Sequence, residues 1–285
     1  MQRPTSWNTA GSIAGAVLGL AVGVSLAIGA VVGGRALGTA AGIGLAVAAS
    51  LAVTVIPYVA ASRTDHAAVL GQFLRRFMIG VNAGMNTVLA GVVLTPVIGV
   101  ILGLVTLLAA VDAMALSPRY QRVLGWASWL MPMSWGATAL GAAFCLVSLA
   151  AAGAILHRWS RARILRIVLD PTVGALVIHG GLIHGPTAFD MGNIVFVNPG
   201  YIDESSPDTT CDAVVAHETG HTLAVAAFGP AFGLFDLIYE NLLGAGARDY
   251  GERIAESHAN CPGRSTVPMW GLPESVLDCS PSLRA

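Results

Sequence analysis

His217-Glu218-Thr219-Gly220-His221 is the segment of this chain whose residue types and spacing could do chemistry. Residues four apart on a helix leave the same face, so both imidazoles can reach one divalent cation. Zinc accepts histidine nitrogen at about 2.0–2.1 Å and lowers the pKa of a bound water to about 7. Glu218 follows the first histidine and points to the side of such a site. There it can take a proton from that water and pass it to a leaving amine. The flanking residues, Ala213–Ala216 and Leu223–Ala227, are apolar. Three ionisable groups on so apolar a helix need partners, which favours a metal over a solvated face.

A catalytic zinc takes a third protein ligand and keeps one position open. The residues after His221 (Thr222, Leu223, Ala224, Val225, Ala226) offer none. Downstream, Gly251-Glu252-Arg253-Ile254-Ala255-Glu256-Ser257-His258 carries two acids four apart, hence on one helix face. Glu252 is expected to ligate zinc. Glu256 is expected to fix a zinc histidine by accepting its free N–H. Helix geometry equally admits the opposite assignment. His258 faces elsewhere and reads as structural.

A His-Glu-x-x-His helix followed by a helix with Glu-x-x-x-(Asp/Glu) resembles the gluzincin pattern. With apolar spans in the same chain, it resembles the integral-membrane metallopeptidases related to HtpX and the CAAX prenyl endoprotease. The resemblance implies a zinc endopeptidase at the cytoplasmic membrane face. His217 and His221 match the zinc ligands, Glu218 the base and Glu252 the third ligand. Glu256 stands where that group usually has Asp. The spans here all precede the site, and the resemblance covers about 45 residues, Cys211–Ala255. An intramembrane site like that of site-2 proteases is a competing architecture, with Asp236 as third ligand.

The rest of the chain must hold this helix. Of 285 residues, 55% are hydrophobic and 11% charged, and all 15 basic residues are arginine. Such apolar content excludes a disordered chain, and the low charge argues against one soluble globule. Residues 1–169 carry eleven arginines and two acids; residues 170–285 carry four and fourteen. The arginines form no continuous basic stripe, so no nucleic-acid partner is expected.

Four uncharged stretches, Gly11–Val32, Leu37–Ala60, Met85–Val111 and Trp135–Leu156, are each long enough to cross a bilayer. Trp7, Trp126, Trp129, Trp135 and Trp159 lie near their ends, where headgroups would meet them. Ala113–Met133 reads as an interfacial helix. The arginine distribution puts both termini in the cytoplasm, in a bacterial inner or plasma membrane. Gly11, Gly15, Gly19 and Gly23 place a groove on one helix face. It can serve packing within the bundle or a homo-oligomer.

Beyond the basic segment His157–Arg166, the pattern changes to a small α+β domain. Val173–Ile178 and Asn193–Val197 read as strands, the second either as an edge to which an extended peptide could add or as a plain strand within the sheet. His179 and His184 precede Gly-rich turns and are weak oxyanion candidates, as are Tyr239 and Tyr250. Helices are expected over Cys211–Val225, ended by Gly229-Pro230, over Phe232–Leu243, and from Asp249 to about Asn260. The tail from Cys261 reads as irregular. Cys145 lies in an apolar run, and a Cys261–Cys279 disulfide is conceivable.

The expectation is a membrane α-helical bundle of about four spans (1–160) followed by a zincin-like α+β domain (161–285). It would hydrolyse peptide or membrane-protein substrates with Zn2+. The alternative is a catalytically inactive, zinc-stabilised membrane scaffold or sensor. A transport bundle is disfavoured, because no charge lies inside any stretch.

Overall fold

The computed structural model describes residues 6–37, 48, 52–53, 55–61, 64, 69–155, 164–182, 188–198, 211–230, 232–233, 250–259 and 267–271. The helices α1 (Ser6–Leu37), α2 (Val69–Val93), α3 (Pro96–Leu108), α4 (Asp112–Ala115), α5 (Pro118–Ser128) and α6 (Pro132–Ile155) precede the sheet. Strands β1 (Ile164–Asp170), β2 (Ala175–Gly180), β3 (Ala188–Met191) and β4 (Ile194–Val197) follow. Helices α7 (Cys211–Phe228) and α8 (Tyr250–Ala259) and strand β5 (Val267–Gly271) complete the described chain.

Among the described residues, three helices are long and apolar enough to cross a membrane: Thr9–Ile28 within α1, α2, and Pro132–Ala150 within α6. The stretch Leu37–Ala60 falls mostly outside the described residues. The stretch Met85–Val111 is corrected: it is two helices, not one. Pro96 opens α3 at a position where its missing N–H is harmless. Thr95 caps it, its hydroxyl accepting from the Ile98 N–H at 3.2 Å. Hydropathy alone does not see that turn. Helix α2 instead begins sixteen residues earlier than the apolar run, at Val69, and takes in Arg75 and Arg76.

The repeated glycines of α1 face α2 of the same chain. A Cβ on Gly19 would lie 2.2 Å from the Val81 carbonyl oxygen, and one on Gly84 of α2 would lie 2.5 Å from the Leu20 nitrogen. Backbone meets backbone, so van der Waals contact replaces the hydrophobic drive that lipid cannot supply. This face is occupied within the chain, as the internal-packing alternative expects. The outer sides of α1, α3 and α6 expose Ile13, Val17, Val97, Leu104, Leu140 and Leu146, each more than half accessible. Exposed apolar surface on that scale fits contact with lipid.

The sheet is mixed and five-stranded, in the order β3-β4-β2-β1-β5. β2 and β4 are parallel, with Val177 opposite Val195; the other pairings are antiparallel. Of the two readings of Asn193–Val197, the plain strand holds: β4 is an interior strand, fully buried, and β3 is the edge. Two expectations are corrected. The basic segment runs into β1, where the buried Ile164, Arg166, Val168 and Asp170 alternate with half-buried residues and the register shifts between Ile164 and Arg166. The tail contributes β5 rather than being irregular throughout.

The sheet lies between two helical layers. On one face Phe144 of α6 meets Phe189 and Phe196 edge-on. Thr138 of the same helix bonds Asn193, and Ser148 accepts from the Leu182 N–H. One side of α6 is thereby withdrawn from lipid along much of its length. On the other face a continuous buried cluster joins Val168, Val177, Val195 and Val197 to Leu223 and Ala227 of α7 and to Met78 and Ile79 of α2. The segment expected as one interfacial helix is α4 plus α5. Its tryptophans dock on the β1–β2 turn: Trp126 donates to the Pro171 carbonyl and Trp129 to that of Gly174.

Candidate metal centre

Helix α7 ends where its sequence says it must. Gly229 takes a left-handed φ of 89°, a conformation that favours glycine, and Pro230 cannot continue the helix. The last carbonyls of a helix lack intrahelical partners. Here Asn82 of α2 supplies them, its amide donating to Ala226 O at 2.9 Å and Ala227 O at 3.0 Å. A buried amide in the middle of a membrane-length helix thus anchors the histidine helix.

Within α7 the two histidines converge. Their Nε2 atoms are 3.0 Å apart, with ring centroids 4.7 Å apart and planes at 81°. Two nitrogens on a tetrahedral zinc would be separated by about 3.3 Å. The observed spacing therefore differs from a ligating one by a few tenths of an ångström. Burial lowers the pKa of His221 to about 3, and the neighbouring His217 adds to the effect. Such a ring is neutral at physiological pH, the form that donates a lone pair to a metal. Glu218 is half-buried on the same helix. Thr219 is turned inward, its hydroxyl bonded to the carbonyls of Val215 and Ala216.

Gly220 sets how closely the next helix approaches. A Cβ there would lie 2.5 Å from Ala255 Cα and 2.9 Å from Ala255 O, so α7 and α8 touch backbone to backbone. Ala255 is fully buried. Positions 252 and 256 stand three before and one after it, as His217 and His221 stand three before and one after Gly220. The contact thus joins the middles of an H-x-x-G-H and an E-x-x-A-E pattern. The side chains of Glu252 and Glu256 lie outside what the structure describes. Among the described residues, no group of three His, Cys, Asp or Glu side chains is placed to hold a metal ion.

Other candidates separate. His179 is part of β2, and it is buried. It pairs across the ladder with Arg166 of β1. Burial, then the charge of Arg166, lowers its pKa to about 4. His184, Asp236 and Tyr239 lie outside the described residues, as do Cys261 and Cys279. Tyr250 opens α8, its side chain undescribed, and Cys145 is a free thiol. His258 is buried against Asp170, Thr172 and Gln121. Sequence reading missed two features that position the site. Asn82 could have been flagged as an amide inside an apolar run. The Gly220–Ala255 contact was signalled only by small residues at matching places in two motifs.

Compared with known proteins, the chain matches no family model, no curated protein and no solved structure.

Proposed function

We propose that this chain is a membrane-bound zinc metalloendopeptidase. The observation that carries the reading is the convergence of the His217 and His221 Nε2 atoms to 3.0 Å on one turn of a largely buried helix. The donor set fits zinc: two imidazoles, with Glu252 or Glu256 as the carboxylate from the helix that touches Gly220. Zinc bound there supplies a Lewis acid that makes water a nucleophile at neutral pH. Glu218 would be the base that takes a proton from the attacking water and returns it to the leaving amine. The acid of α8 that does not ligate zinc would serve to accept an imidazole N–H and hold the ring.

The membrane supports a choice of substrate. The Asn82 bonds tie the end of α7 to a membrane-length helix, six residues beyond Arg76. Arg76 pairs with the half-exposed Asp112 at 3.2 Å, a charge pair that belongs at the water boundary. Six residues of helix rise about 9 Å. The site is therefore read as lying near the membrane surface, acting on membrane-protein or membrane-adjacent peptide segments.

The test is Glu218→Gln in the full-length protein in detergent. Zinc content should stay at the wild-type level, while cleavage of an unfolded, fluorescently labelled protein falls by about 10²–10⁴-fold. Undiminished cleavage would remove Glu218 from the mechanism. Retained zinc with no cleavage by wild type on soluble or membrane substrates would favour the scaffold alternative.

A further inference from the structure

Helix α8 has ten residues, fewer than the roughly 12–15 an isolated helix needs to be even marginal in water. Its position is therefore set by what it touches. One contact is Ala255 on Gly220. Another is a buried polar cluster three residues further on. His258 is 1% exposed. Its Nε2 lies 3.2 Å from Thr172 Oγ1 and 3.7 Å from Asp170 Oδ2, and its Nδ1 lies 3.4 Å from Gln121 Oε1. Asp170 is itself 1% exposed and accepts from the backbone N–H and the hydroxyl of Thr172. Gln121 is tied in turn, its amide donating to Ala115 O at 3.0 Å and Ser257 Oγ at 3.2 Å. The cluster thus fastens the end of α8 to the β1–β2 turn and to α5 at once.

We propose that Asp170 and His258 are positioning residues for the metal centre, holding α8 in the register that brings its acidic pair to the two imidazoles. The inference rests on the zinc reading above. Position 256 is two residues from His258, about 3 Å along a rigid helix. Ligand distances in a metal site hold to about 0.2 Å. A clamp this close, made of buried groups that satisfy one another, ties the end of α8 to the β1–β2 turn and to α5. Buried polar partners left unmatched would let the helix end shift to find new ones.

The experiment compares wild type with Asp170→Asn, His258→Gln and the milder Thr172→Val, all full-length in detergent. Zinc affinity is read by competition with a chromophoric chelator, and site geometry by the visible absorption of the cobalt(II)-loaded protein. The expected result is zinc binding weakened by about 10–100-fold, the range typical of lost outer partners, with a changed cobalt spectrum and unchanged helix content. Thr172→Val should move both readings in the same direction by less. Wild-type affinity and cobalt spectrum in the folded variants would overturn the clamp while leaving the zinc reading intact. A wild-type protein that binds neither zinc nor cobalt would instead sink the zinc reading itself, and the clamp with it.

Discussion

Replacing Gly220 by alanine tests the packing that brings the two halves of the site together. The added methyl would sit 2.5 Å from Ala255 Cα, whereas ordinary contact begins at 3.4 Å. The obstacle is backbone, not a side chain that could swing aside. Helices α7 and α8 must therefore part by about 1 Å, or one of them must rotate. Overpacking of this kind costs about 1–3 kcal/mol. The effect on the metal should be larger than the effect on the fold, because a 1 Å displacement is about five times the tolerance of a metal–ligand distance. The predicted outcome is a modest fall in melting temperature together with a loss of zinc affinity out of proportion to it. Thermal unfolding of the chelator-treated protein gives the first quantity, and chelator competition gives the second. Gly220→Ala with unaltered zinc affinity would refute the argument that this contact sets the distance between the histidines and the acids. A Gly220→Ala protein as stable as wild type would refute the close approach itself.

Two other perturbations follow from the same geometry. Asn82→Ala leaves the Ala226 and Ala227 carbonyls without their donor and should destabilise the protein by about 1–3 kcal/mol in detergent; an unchanged unfolding midpoint would contradict the anchoring of α7 on α2. Asp190 on β3 has its pKa raised to about 7 by burial, opposed by backbone N–H bonds, and its Oδ2 has no hydrogen-bond partner among the described residues. The folded state therefore holds this proton more tightly than the unfolded chain, and the charged carboxylate costs stability increasingly as pH rises from 4 through 7. Asp190→Asn, a mimic of the neutral acid, should be more stable than wild type at pH 8 by about 2–4 kcal/mol, with the difference vanishing near pH 4. A pH-independent difference in unfolding midpoint would show that Asp190 is solvated.

What the chain revealed before folding was the chemistry that local spacing encodes. The i, i+4 histidines fix a shared helix face, and Gly229-Pro230 fixes where that helix stops. The glycines at 11, 15, 19 and 23 announce a close helix contact, although only the fold shows that α2 fills it. What stayed hidden depends on tertiary partners. Ile164–Asp170 is a buried strand that carries Arg166, and charge disguised it as a basic linker. Val195 and Phe196 look alike on an edge or an interior strand, so the sequence could not say that β3 covers β4. Thr95-Pro96 is a readable helix start, but it sits inside a run so apolar that hydropathy reads straight through it. The Asp170–His258 pairing joins residues far apart in sequence and has no local signature.

The most direct test of the account is X-ray absorption at the zinc edge on the purified full-length protein, with His217→Ala, His221→Ala, Glu252→Gln and Glu256→Gln alongside. One zinc per chain is predicted, with two imidazole nitrogens at about 2.0–2.1 Å and at least one carboxylate oxygen at about 2.0–2.2 Å. Either histidine substitution should abolish that signal, and one of the two glutamine substitutions should remove the carboxylate. A protein that retains no zinc, or zinc whose spectrum is indifferent to His217 and His221, would contradict it.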